Sequence, residues 1–176
     1  MKILIAILLF GICLCSCHHR ETKSKSVINK DSLKREELRA TIINDPMETH
    51  WIIKGKYRFW MPEKHQMDAI DSIIVQAIKE RQRNFYRHLK ADSFRSYYKQ
   101  YVCFIDSTGD SMVFMNATCV VPRFPVFDSI FTHPMMKRFD WQHHLLEVED
   151  GGDCYWRIYI NWTIKKCIEF SVNGEA

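Results

Sequence analysis

Apolar and polar positions divide this chain into distinct stretches. Ile3 to Cys15 is an unbroken apolar run behind a basic Met1-Lys2 start. Residues 18–45 are polar and charged, with Arg20, Lys23, Lys25, Lys30, Lys34 and Arg35 interspersed with Glu21, Asp31, Glu36 and Glu37. Beyond Trp51 the apolar residues recur at regular periods, the mark of elements that share a core. Trp51-Ile52-Ile53 and Tyr57-Arg58-Phe59-Trp60 read as short extended segments that open the folded domain. After Pro62, a residue suited to a first helical turn, Met67, Ile70, Ile74, Ala77, Ile78, Phe85 and Leu89 return at three- and four-residue steps. That stripe predicts a helix over 63–89. A shorter helix is expected over 31–40.

The remainder reads as strands. Segments 97–106 and 112–121 flank Ser107-Thr108-Gly109-Asp110, a hairpin turn. Pro122, Pro125 and Pro134 punctuate a long connection, with a helical turn expected near 127–131. Segments 141–148 and 154–162 flank Asp150-Gly151-Gly152-Asp153 as a second hairpin, and 165–172 is a last strand. The expected fold class is α+β: one long helix packed on an antiparallel β-meander, with the second sheet face partly open. Cystatin-like and NTF2-like folds share this outline, an analogy that carries no function.

The N-terminal run has 13 residues. At 1.5 Å per residue it reaches only about 20 Å, short of the about 30 Å of a bilayer core. Its length suits the apolar part of a secretory signal. It closes on Leu14-Cys15-Ser16-Cys17, an aliphatic residue, a variable one, a small one and a cysteine. This resembles the lipobox of bacterial lipoproteins. The resemblance implies that the Cys17 thiol takes a diacylglyceryl group, that cleavage follows before Cys17, and that the new amine is acylated. More than one acyl chain is what stable anchoring needs. The expected organisation is a signal peptide over 1–16, the lipidated cysteine and a polar tether over 17–50, and a single α+β domain over 51–176. The residue after the cysteine is His18, not the aspartate that retains such proteins in the inner membrane of enteric bacteria. No acidic cluster of the kind that sends some Bacteroidetes lipoproteins to the cell surface follows it. The expected location is the outer membrane, facing the periplasm.

Removing residues 1–16 leaves 160 of the 176, enough for one domain with a sizeable core. Only Lys2 is lost among the charges, so the net charge falls from +4 to +3. So mild a balance does not suit a nucleic-acid partner, and export argues further against one. Cys103, Cys119, Cys154 and Cys167 remain beyond Cys17, in a compartment that permits disulfides. Their spacings of 16, 35 and 13 hold no C-x-x-C, so a zinc or thioredoxin-like site is poorly supported. Four cysteines allow three full pairings, and spacing does not choose among them or against four buried thiols.

Candidate chemistry is sparse. His143 and His144 are neighbours, and neighbours on a strand point to opposite faces, so they do not chelate one ion. No metal and no cofactor are expected. Asp150-Gly151-Gly152-Asp153 offers too few oxygens for calcium, and its glycines are explained by a tight turn with positive φ. No G-x-S-x-G, P-loop or G-x-G-x-x-G occurs. On the strand over 154–162, Tyr155, Arg157, Tyr159 and Asn161 share one face, and Trp156, Ile158, Ile160 and Trp162 the other. The second set is core. The first mixes residue types suited to recognition and is the candidate binding face. Tyr98-x-Gln100-Tyr101-Val102, Asp150-Gly151-Gly152-x-Cys154-Tyr155 and Asn173-Gly174-x-Ala176 together resemble a set of small uncharacterised proteins of gut Bacteroidetes, which implies compartment and fold but no activity. The expected function is a lipid-anchored envelope protein that binds another envelope protein or a small ligand without catalysis. The alternative is an envelope hydrolase with its site at the open end of the sheet.

Overall fold

The computed structural model describes residues 39–84, 89–126 and 134–174. Cys17, the expected signal and most of the expected tether and its short helix lie outside the described residues. The described chain is α+β. Its elements are β1 (Ala40–Ile42), α1 (Pro46–Thr49), β2 (Arg58–Phe59), α2 (Lys64–Asn84), a 3₁₀ helix (Ala91–Ser96), β3 (Tyr98–Ile105), β4 (Ser111–Thr118), β5 (Arg123–Val126), β6 (Met135–Arg138), a 3₁₀ turn (Gly152–Cys154), β7 (Tyr155–Asn161) and β8 (Lys166–Val172).

The main sheet runs β1-β3-β4-β7-β8, and β2 shares the outer edge of β3 with β1. β1 pairs parallel to the start of β3 and β2 antiparallel to its end. The other ladders are antiparallel. The first expected hairpin stands. Gly109 takes a φ of 92°, and Asp106 Oδ1 accepts from the backbone N–H groups of Thr108 and Asp110. Those bonds, led by the one from the Thr108 hydroxyl, hold the Asp106 carboxyl below its usual range. This carboxylate shapes a turn.

Alternation along the strands builds two cores. On one face Tyr101, Cys103, Val113, Met115, Ala117, Trp156, Ile158, Ile160 and Phe170 pack against Ile70, Ile74, Ala77 and Ile78 of α2. On the other, Val102, Phe104 and Phe114 meet Ile43, Ile52, Ile53 and Leu145. A bulge opposite Tyr159 and Ile160 leaves Ile168 out of register and exposed, while Cys167 packs on the helix side.

Several expectations are corrected. The folded unit starts ahead of Trp51: β1 is laid on β3, and Asp45 caps α1 by accepting from the Met47 N–H at 2.8 Å. Three residues of strand are too few to show a period, so only the pairing reveals them. The helix begins at Lys64, where the Glu63 N–H donates to Gln66 Oε1. Its described part ends at Asn84, and Leu89 is buried in the core without being helical. Segment 141–148 is not a strand, because Gln100 and Asn116 take its backbone groups. Asp150–Asp153 therefore turns no hairpin, although Gly151 and Gly152 do have positive φ, 101° and 56°. Tyr155 covers Gly151 so closely that a Cβ there would lie 2.6 Å from the ring. The Pro-punctuated connection carries a two-stranded ribbon, β5–β6. The expected turn over 127–131 lies outside the described residues. The second sheet face is partly open, as expected: it is covered over β3 and β4 but leaves Arg157 of β7 exposed.

Cys119 and Cys154 form a disulfide. It joins the residue after β4 to the residue before β7, and the Cys119 N–H donates to the Cys154 carbonyl at 2.9 Å. Cys103 is buried and Cys167 half-buried, both as thiols. Burial pushes the Cys103 thiol up to about 12 and raises that of Cys167, so neither is a ready nucleophile. The 35-residue separation predicts a loss of about 4 kcal/mol in unfolding free energy on replacing Cys119 and Cys154 by Ser. Denaturant titration checks this, and the Cys103→Ser, Cys167→Ser chain should keep its disulfide.

Candidate functional site

The candidate face of β7 alternates as expected, but its members do different work. Tyr159 lies on Phe114 with ring centroids 4.8 Å apart, and Phe114 meets Trp51 edge-on. Burial raises the Tyr159 phenol above its ordinary value. Asn161 is buried. Its amide donates to Asp110 Oδ2 at 2.7 Å and accepts from the Ile164 N–H, tying the β7–β8 turn to the β3–β4 turn. Tyr155 covers Gly151. Arg157 alone of the four is exposed. A flat four-residue recognition surface is therefore not what the tertiary structure builds.

Beside this face lies a polar lock. Gln100 Nε2 donates to the carbonyls of Trp141 and His144 at 2.6 and 2.7 Å, and Gln100 Oε1 accepts from the Leu146 N–H at 2.9 Å. Asn116 Nδ2 donates to the Leu146 carbonyl at 2.6 Å. Glu48 finishes the clasp: one oxygen accepts from the Leu145 N–H and the other from His144 Nδ1, each at 2.9 Å. His143 turns to Asp140 instead. The two histidines thus serve separate carboxylates, and among the described residues no three His, Cys, Asp or Glu side chains converge.

The helix side carries a feature that the strand pattern did not indicate. An open groove of about 490 Å³ runs along α2 beside the 3₁₀ helix, with Asp68, Asp71, Ser72, Gln76, Lys79 and Arg95 as its polar lining and Val75 and Phe94 as its apolar part. Asp71 reaches inward from it and accepts from the hydroxyl of the fully buried Tyr101 at 2.5 Å. Burial raises the Asp71 carboxyl, and the Tyr101 bond and the charge of Lys99 offset this in part. Lys99 is itself buried, with its ammonium 4.7 Å from the Phe94 ring centroid. One signal was available in the sequence: Asp71 sits four residues after Met67 and three before Ile74, so a carboxylate interrupts the apolar stripe. A second groove of about 430 Å³ on α2 shares Ser72 and Gln76 with the first and ends at Lys165, Lys166 and Cys167.

No family model, curated protein or solved structure matches the chain. Among the described residues no helix is long and apolar enough to cross a membrane.

Two outcomes are expected. Arg157→Ala should change stability by less than about 0.5 kcal/mol, whereas Tyr159→Ala should cost about 2 kcal/mol by chemical denaturation. The Glu48–His144 clasp should also show a pH optimum. Its hydrogen bond with His144, then that from the Leu145 N–H, holds Glu48 below 4.5, so its contribution is present above that value and is lost as pH falls through the folded value. The Glu48 hydrogen bond raises His144 above 6.5, so that contribution is present below 6.5 and is lost as pH rises through the folded value. Thermal unfolding followed against pH should place the clasp's maximum contribution between the two, and Glu48→Gln should flatten the profile.

Proposed function

We propose that this protein is a lipid-anchored cell-envelope protein whose folded domain is a binding module. Cys17 carries the lipid, and the domain faces the periplasm from the outer membrane. The observation that carries this reading is the Cys119–Cys154 disulfide, which fits an oxidising compartment and accords with the lipobox-like N-terminus. The fold reading is one long helix on a sheet in the cystatin-like or NTF2-like outline, and the packing of α2 on one face of the mostly antiparallel sheet supports it.

The groove along α2 is the better place for a ligand, with exposed Arg157 a secondary contact for an envelope protein partner. The groove offers a carboxylate at Asp68, cations at Lys79 and Arg95, and amide and hydroxyl groups at Gln76 and Ser72, while Asp71 turns inward to Tyr101. That set suits a small polar ligand carrying both hydrogen-bond donors and anionic groups. The alternative, an envelope hydrolase, has one supporting observation: Asp71 is a carboxyl raised by burial beside an open groove, the character of a general acid. The described lining offers no nucleophile activated by a neighbouring base.

Mass spectrometry of the membrane form tests the anchor. Acylated Cys17 as the first residue is expected, and an unmodified chain retaining residues 1–16 would overturn it. For the groove, Lys79→Glu with Arg95→Glu should abolish retention of the envelope component that the parent chain retains, without lowering the melting temperature. Asp71→Asn separates the two readings. The amide still accepts from Tyr101, so binding should persist, whereas a general acid would be lost.

A further inference from the structure

The β5–β6 ribbon stands apart from both cores. All eight of its residues are exposed, including Phe124 (49%), Val126 (41%), Met135 (51%) and Met136 (56%). A lone two-stranded ribbon with apolar side chains in water is marginal by itself. The register distributes those side chains. Phe124 faces Lys137 and Val126 faces Met135 on one side, while Arg123 faces Arg138 and Pro125 faces Met136 on the other. Each side thus combines cations with apolar groups, and none of the eight residues is acidic.

The root of the ribbon is as informative as its composition. The Tyr98 ring carries two guanidinium groups, Arg138 of β6 at 5.4 Å and Arg39 at 5.1 Å from its centroid. Arg39 is where the segment that leads from Cys17 joins the domain. Arg39 also donates to the Ser96 carbonyl, which fixes that entry point. Arg39, the first described residue after Cys17, and the ribbon therefore meet at one ring. At full extension the 22 residues from Cys17 to Arg39 reach at most about 75 Å, so an anchor at Cys17 keeps the domain within that distance of its bilayer.

We propose that the β5–β6 ribbon is a membrane-contact element that rests on anionic lipid headgroups beside the entry point of the anchored chain. The inference rests on the Cys17 anchor reading. Arg123 and Lys137 supply the charge complementary to such a surface, with Arg138 held on Tyr98, and their long stems let apolar neighbours dip while the charged heads stay among the headgroups. Phe124, Val126 and Met135, which share the side of the ribbon that carries Lys137, supply the shallow apolar contact. Tethering turns this weak second contact into an intramolecular one, so modest intrinsic affinity suffices. Tyr98 and the β6-flanking Phe139, which lies against His144, root the ribbon on the sheet face opposite α2. Docking there leaves the α2 groove open to solvent.

Hydrogen exchange on the full chain as isolated from membranes tests this. The chain is reconstituted in phosphatidylcholine vesicles with and without phosphatidylglycerol, and in detergent micelles. Amides of 123–126 and 135–138 should exchange several-fold more slowly on the phosphatidylglycerol vesicles, and high salt should remove the difference. Arg123→Glu with Lys137→Glu should abolish it, as should Phe124→Ser with Met135→Ser, while β3 and β4 amides keep their protection. Equal ribbon exchange on both vesicle types, in a chain shown to be acylated at Cys17, overturns the inference. So does protection that appears in detergent and grows with protein concentration, the result expected if a second copy covers the ribbon. If Cys17 proves unacylated, the anchor reading fails separately. Salt-sensitive flotation of that chain with phosphatidylglycerol vesicles would still support ribbon contact, and its absence would overturn it.

Discussion

The amide of Gln100 governs how this domain closes. It lies at the centre of β3, fully buried, on the face away from α2. A buried amide left without partners costs about 1–3 kcal/mol per unmade bond. Gln100 avoids that by bonding backbone groups of Trp141, His144 and Leu146, with Asn116 on the adjacent strand doing the same at Leu146. Segment 141–146 is thereby spent on side chains instead of a strand ladder. Once it is in place, Leu145 seals the second core with Ile43, Ile52, Ile53 and Phe114. The lock explains why β3 and β4 are buried on both faces, a condition more usual of parallel sheets than antiparallel ones.

The first face follows a different logic. There the helix stripe and the odd-numbered positions of β3 and β4 simply meet, and Trp156 stacks on Phe170 with Tyr97 edge-on. The exception is Asp71, which keeps a carboxyl at the margin of an apolar stripe and finds the Tyr101 hydroxyl as its partner. Strand alternation identifies side chains that share a direction, but it does not say what lies above them. For Tyr159 that was Phe114, and for Asn161 it was Asp110.

Short motifs within residues 97–176 serve as structural joints. Asn173 donates its amide to the Val148 carbonyl and its N–H to that of Tyr155, while the Gly152 N–H donates to the Gly174 carbonyl. Cys154, one residue on from Asp153, bonds Cys119. Gln100 and Tyr101 hold the lock and the Asp71 carboxyl. These short motifs describe how the sheet is fastened at its ends and centre, which is why they suggest a fold without naming an activity.

Local pattern alone was enough for α2, for the β3–β4 hairpin around Gly109, and for β7 and β8 with their inward Trp156, Ile158 and Ile160. In these, the period of apolar residues and the turn residues act within a few positions of each other, and neighbours in sequence are neighbours in space. Tertiary structure decided the rest. It decided that 40–42 would be a strand, that 141–148 would not, which cysteines would pair, and which polar face would stay exposed. Each of these depends on a partner far along the chain: Lys99 for Ala40, Gln100 for Leu146, Cys119 for Cys154, Phe114 for Tyr159. No local period encodes such a partner, because the free energy of the contact belongs to two segments that only folding brings together.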